Sequence, residues 1–256
     1  MAYRGFDLSG KTALVTGGNG GIGLGMAEAM AQAGANIVIW GTNAEKNEAA
    51  RGRLSAIGVK TLTSKVDVSQ ENQVIDAFGE AVRQMGRIDT VIANAGIGFG
   101  APSFMELKLD TFRKVMGVNL EGAFFTFREA ARHMTGREGG GSLVGVASLA
   151  AVEGAARNQA YGASKGGLIS MVKGIAVELA RYGIRANTIL PGWIATEMTG
   201  DAQASKKFND NVIGRVPIRR WGQPEDFGGV AVYLASDASA YHNGDTLVID
   251  GGYLAF

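Results

Sequence analysis

The chain has 256 residues, enough for one large α/β domain or two small ones, and 46% of them are hydrophobic, which supports a sizeable core. A formal net charge of +1, with Lys and Arg spread along the chain, excludes a strong electrostatic footprint for nucleic acid or an anionic membrane. With no cysteine, disulfides and thiolate metal sites are excluded; with no apolar run in residues 1–7 and none of spanning length elsewhere, a soluble cytoplasmic protein is expected.

Residues 12–16 read as a short buried strand. Gly17-Gly18-Asn19-Gly20-Gly21-Ile22-Gly23 follows and enters a helical pattern through Met26, Ala29, Met30 and Ala33. Strand, glycine turn and helix make the setting in which glycines let the backbone approach a pyrophosphate, held by free N–H groups at the helix start. Residues 35–40 form a second strand. A carboxylate after it would bind ribose hydroxyls and an arginine would accept a 2′-phosphate. Gly41 and Thr42 stand there instead, and Lys46 is the nearest base. A helix over 44–57 precedes a strand within 59–68 that ends at Asp67-Val68. Asp67 either accepts from an adenine amino group or caps the next helix.

The pattern continues with a helix over 71–85, a strand over 88–93 and then Asn94-Ala95-Gly96, small residues where open α/β sheets bind ligands. Asn94 equally serves to brace neighbouring strands. Residues 97–105 are a loop, and 110–134 read as one long helix with Asn119 among Met116, Val118 and Leu120, marking a kink, a water site or a polar face. A strand over 142–147 ends at Ser148. About a dozen residues on, Tyr161 and Lys165 lie four apart in a helical pattern, on one face. A neighbouring ammonium favours phenolate, so the Tyr161 pKa is expected to fall toward the working pH of a general acid or base. A strand over 184–190 closes at Pro191-Gly192. Residues 193–216 read as a mobile lid or a surface excursion with two short helices. Pro224 suits a helix start, 225–235 a helix and 246–250 a last strand. His133 and His242 lie outside every motif, and no metal site is expected. Strictly alternating strands and helices predict one domain over 1–256, a doubly wound parallel sheet with helices on both faces.

Together, Thr16-Gly17-x-x-x-Gly21-x-Gly23, Asp67, Asn94-Ala95-Gly96, Asn119, Ser148, Tyr161-x-x-x-Lys165 and Pro191-Gly192 resemble the classical short-chain dehydrogenase/reductase family, from Leu8 to the C-terminus. The resemblance implies a seven-stranded Rossmann-type sheet and a catalytic tetrad of Asn119, Ser148, Tyr161 and Lys165. Tyr161 is then the acid/base and Ser148 positions the substrate oxygen. Lys165 binds the nicotinamide ribose and lowers the tyrosine pKa, and Asn119 holds a relay water. The implied activity is hydride transfer between NAD or NADP and a secondary alcohol or ketone.

Implied cofactor contacts are Gly17, Asn19, Gly21, Ile22, Gly23, Thr42, Asp67, Val68, Asn94, Ala95, Gly96, Tyr161, Lys165, Pro191, Gly192, Ile194 and Thr196. The family's Asn-Asn-Ala-Gly reads Ala93-Asn94-Ala95-Gly96 here. The usual selectors, an aspartate at position 41 for NAD or a base at 42 or 20 for NADP, are absent, and the lack of a cation leans the expectation toward NAD. Phe99, Ala150, Glu153, Asn158 and Trp193 are candidate substrate residues. The stretch 219–226 is similar to sugar-acid dehydrogenases, oxoacyl-carrier reductases and secondary-alcohol dehydrogenases alike. Retention of Ser148, Tyr161 and Lys165 argues against a non-enzymatic dinucleotide sensor. A homotetramer built on the helices near 110–134 and 160–182 is expected, with Ala163, Gly166 and Gly167 permitting close packing.

Overall fold

The computed structural model describes residues 4–255, so the readings made on residues 1–3 and 256 lie outside the described residues. The chain runs β1 (Thr12–Thr16), α1 (Gly21–Gln32), β2 (Asn36–Gly41), α2 (Ala44–Ser55), β3 (Thr61–Lys65), α3 (Glu71–Met85), β4 (Thr90–Ala93), α4 (Leu109–Met116), α5 (Gly122–Thr135) and β5 (Gly141–Val146). It continues through α6 (Gln159–Leu179), β6 (Ile184–Pro191), α7 (Gly200–Ala204), α8 (Lys206–Val212), α9 (Gly228–Ala235) and β7 (Thr246–Ile249). The strands form one seven-stranded sheet in the order β3-β2-β1-β4-β5-β6-β7, and every neighbouring pair is parallel.

Side chains alternate across a strand, so a strand buried on both faces needs apolar residues at every position. β1 and β2 do this. Leu14, Val38 and Trp40 pack with Phe78 of α3, Phe127 of α5 and Val172 of α6. Val15, Ile37 and Ile39 face the opposite layer with Met26 and Met30 of α1 and Leu234 of α9. The winding reverses between β1 and β4, and the crevice outside their carboxyl ends is where ligands bind in such sheets.

Three sequence readings shift. The helix expected over 110–134 is two helices joined by a π-helical stretch, Gly117–Glu121, with Asn119 buried in it. The extra residue per turn rotates the asparagine away from the apolar stripe. The strand expected to reach Asp67-Val68 ends at Lys65. The helix expected over 225–235 opens as a 3-10 turn, Pro224–Phe227, with proline at its start, and becomes α-helical at Gly228. Residues 193–216 take the form of two short helices, α7 and α8, between 3-10 turns. Gly167 packs against Leu120 of its own chain: a Cβ there would stand 3.0 Å from the leucine Cδ2, so its small size serves internal packing. Among the described residues, no helix is long and apolar enough to cross a membrane.

Candidate active site

The turn after β1 is shaped for close approach. Gly17 has φ 61°, the left-handed region that glycine enters freely. A Cβ on Gly23 would overlap the Asn94 amide and come 2.6 Å from the Gly17 carbonyl oxygen. Gly20 is the N-cap of α1 and gives no side chain to the first-turn N–H groups, and the space beside its Cα is open. That combination fits a pyrophosphate. Thr196 borders it, its methyl 3.3 Å from where a Gly21 Cβ would be, and Ile22 packs partly buried behind it.

Asn94 is a brace. Its Nδ2 donates to the carbonyl oxygens of Thr16 (3.0 Å) and Gly17 (3.1 Å). The Thr16 hydroxyl in turn accepts from the N–H groups of Asn94 (3.1 Å) and Ala95 (3.0 Å), tying the ends of β1 and β4 together. Thr16 belongs to the glycine-turn motif, and the motif itself does not reveal this bracing role. A hydroxyl at the carboxyl end of a strand that is aliphatic in its middle was the available signal.

At the end of β2, Asn19 Nδ2 donates to Asn47 Oδ1 (2.7 Å), and Asn47 Nδ2 donates to the Gly41 and Ser64 carbonyl oxygens (3.0 Å each). A Cβ on Gly41 would overlap the Asn19 amide and lie 2.6 Å from Asn47 Oδ1. An aspartate is therefore sterically barred from position 41 unless this amide pair moves. Thr42 is exposed beside it. Asp67 is not the N-cap of α3, which is Gln70; its Oδ1 accepts from the Ser69 N–H (3.0 Å) and hydroxyl (2.7 Å) in a local turn. Val68 is buried in the core beneath Gly122.

At the end of β5, Ser148 caps a short 3-10 turn, its Oγ accepting from the Ala150 N–H (3.2 Å), and its hydroxyl is close enough to the Tyr161 phenol to influence its pKa. Tyr161 sits in the first turn of α6, with Lys165 one turn on. The Lys165 ammonium is buried, donates to the Val146 carbonyl oxygen (2.7 Å) and stands 5.7 Å from the tyrosine ring centroid. A Cβ on Gly96 would lie 3.3 Å from Lys165 Nζ and 3.5 Å from Asn119 Oδ1, so these groups meet at the end of β4. Asn119 clamps the loop that follows: its Oδ1 accepts from the Ile97 N–H (2.8 Å) and its Nδ2 donates to Ile97 O and Ser164 Oγ (3.0 Å each).

The expected fall in the Tyr161 pKa is corrected. Burial raises it above the ordinary phenol value, and the nearby Ser148 hydroxyl only opposes that. The i, i+4 spacing brings Lys165 alongside the ring but aims its ammonium at a backbone carbonyl. Burial also pushes Lys165 down to about 8, which weakens its hold on charge.

The candidate substrate residues do not form one uniform wall. Phe99 is partly exposed, with Lys114 Nζ 5.0 Å above its ring, and Gly98 next to it approaches Tyr161. Ala150 lies under Gly162 of the tyrosine helix, and Glu153 is half-buried two residues beyond the Ser148 turn. Asn158 precedes α6 with its Oδ1 buried and unpartnered. Trp193 joins Phe208 (5.0 Å between ring centroids), Trp221 and Tyr253 in an aromatic cluster, and its indole N–H is also buried without a partner. β6 ends at Pro191, and Gly192 just beyond it packs on Asp250; the Ile194 side chain is buried in the core.

The profile of the family described as enoyl-(acyl carrier protein) reductase matches residues 17–254. A gluconate 5-dehydrogenase from Gluconobacter oxydans (strain 621H) is 40% identical over 247 residues, 96% of each chain. A 2-dehydro-3-deoxy-D-gluconate 5-dehydrogenase from Escherichia coli (strain K12) is 35% identical over the whole of both chains. The crystal structure of a gluconate 5-dehydrogenase from Burkholderia cenocepacia J2315 in complex with NADP and tartrate superposes with a TM-score of 0.94 at 36% identity, covering 99% of this chain and 98% of that one. The NADP in that complex gives the expected leaning toward NAD no support. Matched along nearly its whole length in sequence and in fold, the chain belongs to the short-chain dehydrogenase/reductase family and is an NAD(P)-dependent oxidoreductase.

Proposed function

We propose that this chain oxidises a secondary alcohol of a polyhydroxy acid to the ketone, and reduces the ketone in reverse. The observation that carries this reading is the buried Lys165 ammonium 5.7 Å from the Tyr161 ring, with Asn119 meeting it at the end of β4 and the Ser148 hydroxyl near the phenol. Bound nicotinamide dinucleotide supplies or accepts the hydride. Tyr161 takes the alcohol proton in oxidation and returns it in reduction. Ser148 holds the substrate oxygen at the phenol, and Lys165 keeps positive charge below it. Asn119 fixes the Ile97 loop against α6 and carries the relay role the resemblance implies. The sugar-acid substrate class follows the names of the two sequence relatives, and the unpartnered polar atoms of Asn158 and Trp193 suit hydroxyl recognition. We read the chain as one domain with 193–216 as an insertion over the substrate, and as a homotetramer.

The test is a nicotinamide absorbance assay with NAD+, NADP+, NADH and NADPH against aldonates and keto-aldonates, β-ketoacyl thioesters, simple secondary alcohols and cyclic ketones. Turnover of the aldonate class is expected. Tyr161→Phe should lower kcat by about 100- to 10,000-fold while leaving dinucleotide binding intact. Turnover confined to β-ketoacyl thioesters would replace the sugar-acid reading with an acyl-carrier reductase. An active Tyr161→Phe enzyme would remove the tyrosine from its role.

A further inference from the structure

Lys46 lies in the first turn of α2, its backbone N–H donating to the Asn43 side chain (2.9 Å). Its ammonium reaches out of that turn and pairs with Glu197 Oε2 at 2.5 Å, 151 residues away in sequence. Glu197 opens the 3-10 turn just after Thr196, whose methyl borders the start of α1. The pair therefore connects the end of β2 to the segment beyond β6, on either side of the glycine turn. Lys46 and Glu197 side chains are 45% and 83% exposed. An ion pair this wet contributes little to stability, so folding is a weak reason for its geometry.

Its position carries more information. The place where a carboxylate would bind the adenosine ribose is filled by the neutral Asn19–Asn47 pair, and the exposed neighbour Thr42 carries no charge. Glu45 also lies in the first turn of α2, but Glu197 is the acid that holds Lys46. A 2′-phosphate is the stronger acceptor, with near-double charge against the single charge of a carboxylate. We propose that Lys46 is the cation that recognises the 2′-phosphate of NADP(H), and that Glu197 competes with that phosphate for it, so this pair sets the ratio of NADP to NAD use. The inference rests on the dinucleotide-binding reading of the site.

Calorimetric titration with 2′,5′-ADP and 5′-AMP tests it without turnover. Both side chains are exposed, so Lys46→Met and Glu197→Gln should keep the fold, checked by circular dichroism and Tm. Lys46→Met should weaken 2′,5′-ADP by about tenfold and leave 5′-AMP within about twofold, as loss of one charge-assisted bond demands. Lys46→Arg should retain 2′,5′-ADP binding. Glu197→Gln should strengthen 2′,5′-ADP by roughly threefold and leave 5′-AMP alone, the size expected from removing one solvated competitor. Equal effects on both ligands, or none on 2′,5′-ADP, would overturn the assignment while sparing the dinucleotide site. A wild-type protein that binds neither fragment nor NAD+ nor NADP+ would sink the dinucleotide reading and this inference with it.

Discussion

At Lys165, fold stability and chemistry pull in opposite directions. Burial lowers its pKa to about 8 from an ordinary 10.5. The charged form is thus less favoured in the fold than in the unfolded chain. The resulting penalty is full below about pH 8 and relaxes as pH rises toward the ordinary lysine value. A displacement of this size corresponds to about 3 kcal/mol as an upper bound. Lys165→Met fills a similar volume without charge. It should raise Tm at pH 6.5, show a shrinking advantage by pH 9.5, and lose most of kcat. A variant less stable than wild type across that range would mean that the bond to Val146 outweighs the burial penalty. Trp193 poses the complementary case, an orphaned donor in an aromatic cluster. Trp193→Phe keeps a ring but removes the N–H. If that N–H meets a substrate hydroxyl, KM for the polyhydroxy acid should rise by about three- to tenfold, with Tm unchanged or higher. An unchanged KM would leave Trp193 a purely structural residue.

Among the elements, the break between α4 and α5 joins fold and site most directly. The π-helical residues turn Asn119 onto the Ile97 backbone, and that loop leads to Gly98 beside Tyr161. Asn119→Leu would leave the part-buried N–H and carbonyl of Ile97 without their side-chain partner and unpair the buried Ser164 hydroxyl, so unfolding free energy in urea should fall by about 1–3 kcal/mol. A loss under 0.5 kcal/mol would show that the loop finds other partners. Asn119 was visible in the sequence as an asparagine among apolar residues, but the π-helical geometry was not. A one-residue slip hardly disturbs a helical pattern, and what fixes it is a contact 22 residues back. Strands and glycine turns were legible because their causes are local. Twofold burial writes itself into β1 and β2 as unbroken apolar runs, and Gly17 and Gly23 stand where only glycine fits. The brace made by Thr16, the amide pair that closes off Gly41, and the aim of Lys165 at Val146 depend on residues distant in sequence. Periodicity carries no trace of them.

Among the described residues of the whole molecule, exposed apolar side chains are spread over the surface, and several of them lie before and along the helices expected to form subunit contacts. Phe104, Met105, Leu109 and Phe124 are exposed just before and along α4 and α5, and Val177 on α6 is 84% exposed. A monomer leaves such side chains in water at a hydrophobic cost, whereas a stable interface of about 1,200–2,000 Å2 would cover them. The homotetramer reading assigns them to contacts between subunits, and it bears on activity. Residues 104–106 follow directly on the loop that carries Phe99 and Ala101, and Ala101 N–H donates to the Arg157 carbonyl oxygen (3.0 Å) ahead of the tyrosine helix. Covering Phe104 and Met105 would steady that loop from outside, as Asn119 steadies it from within. Light scattering at micromolar concentration should give four chains. Leu109→Asp combined with Val177→Asp should lower the mass and also raise KM for the substrate, because the loop loses its outer support. A monomeric wild type would exclude the assembly. A dissociated variant with unchanged KM would keep the assembly but confine its role to stability, leaving Asn119 and Arg157 to hold the substrate loop alone.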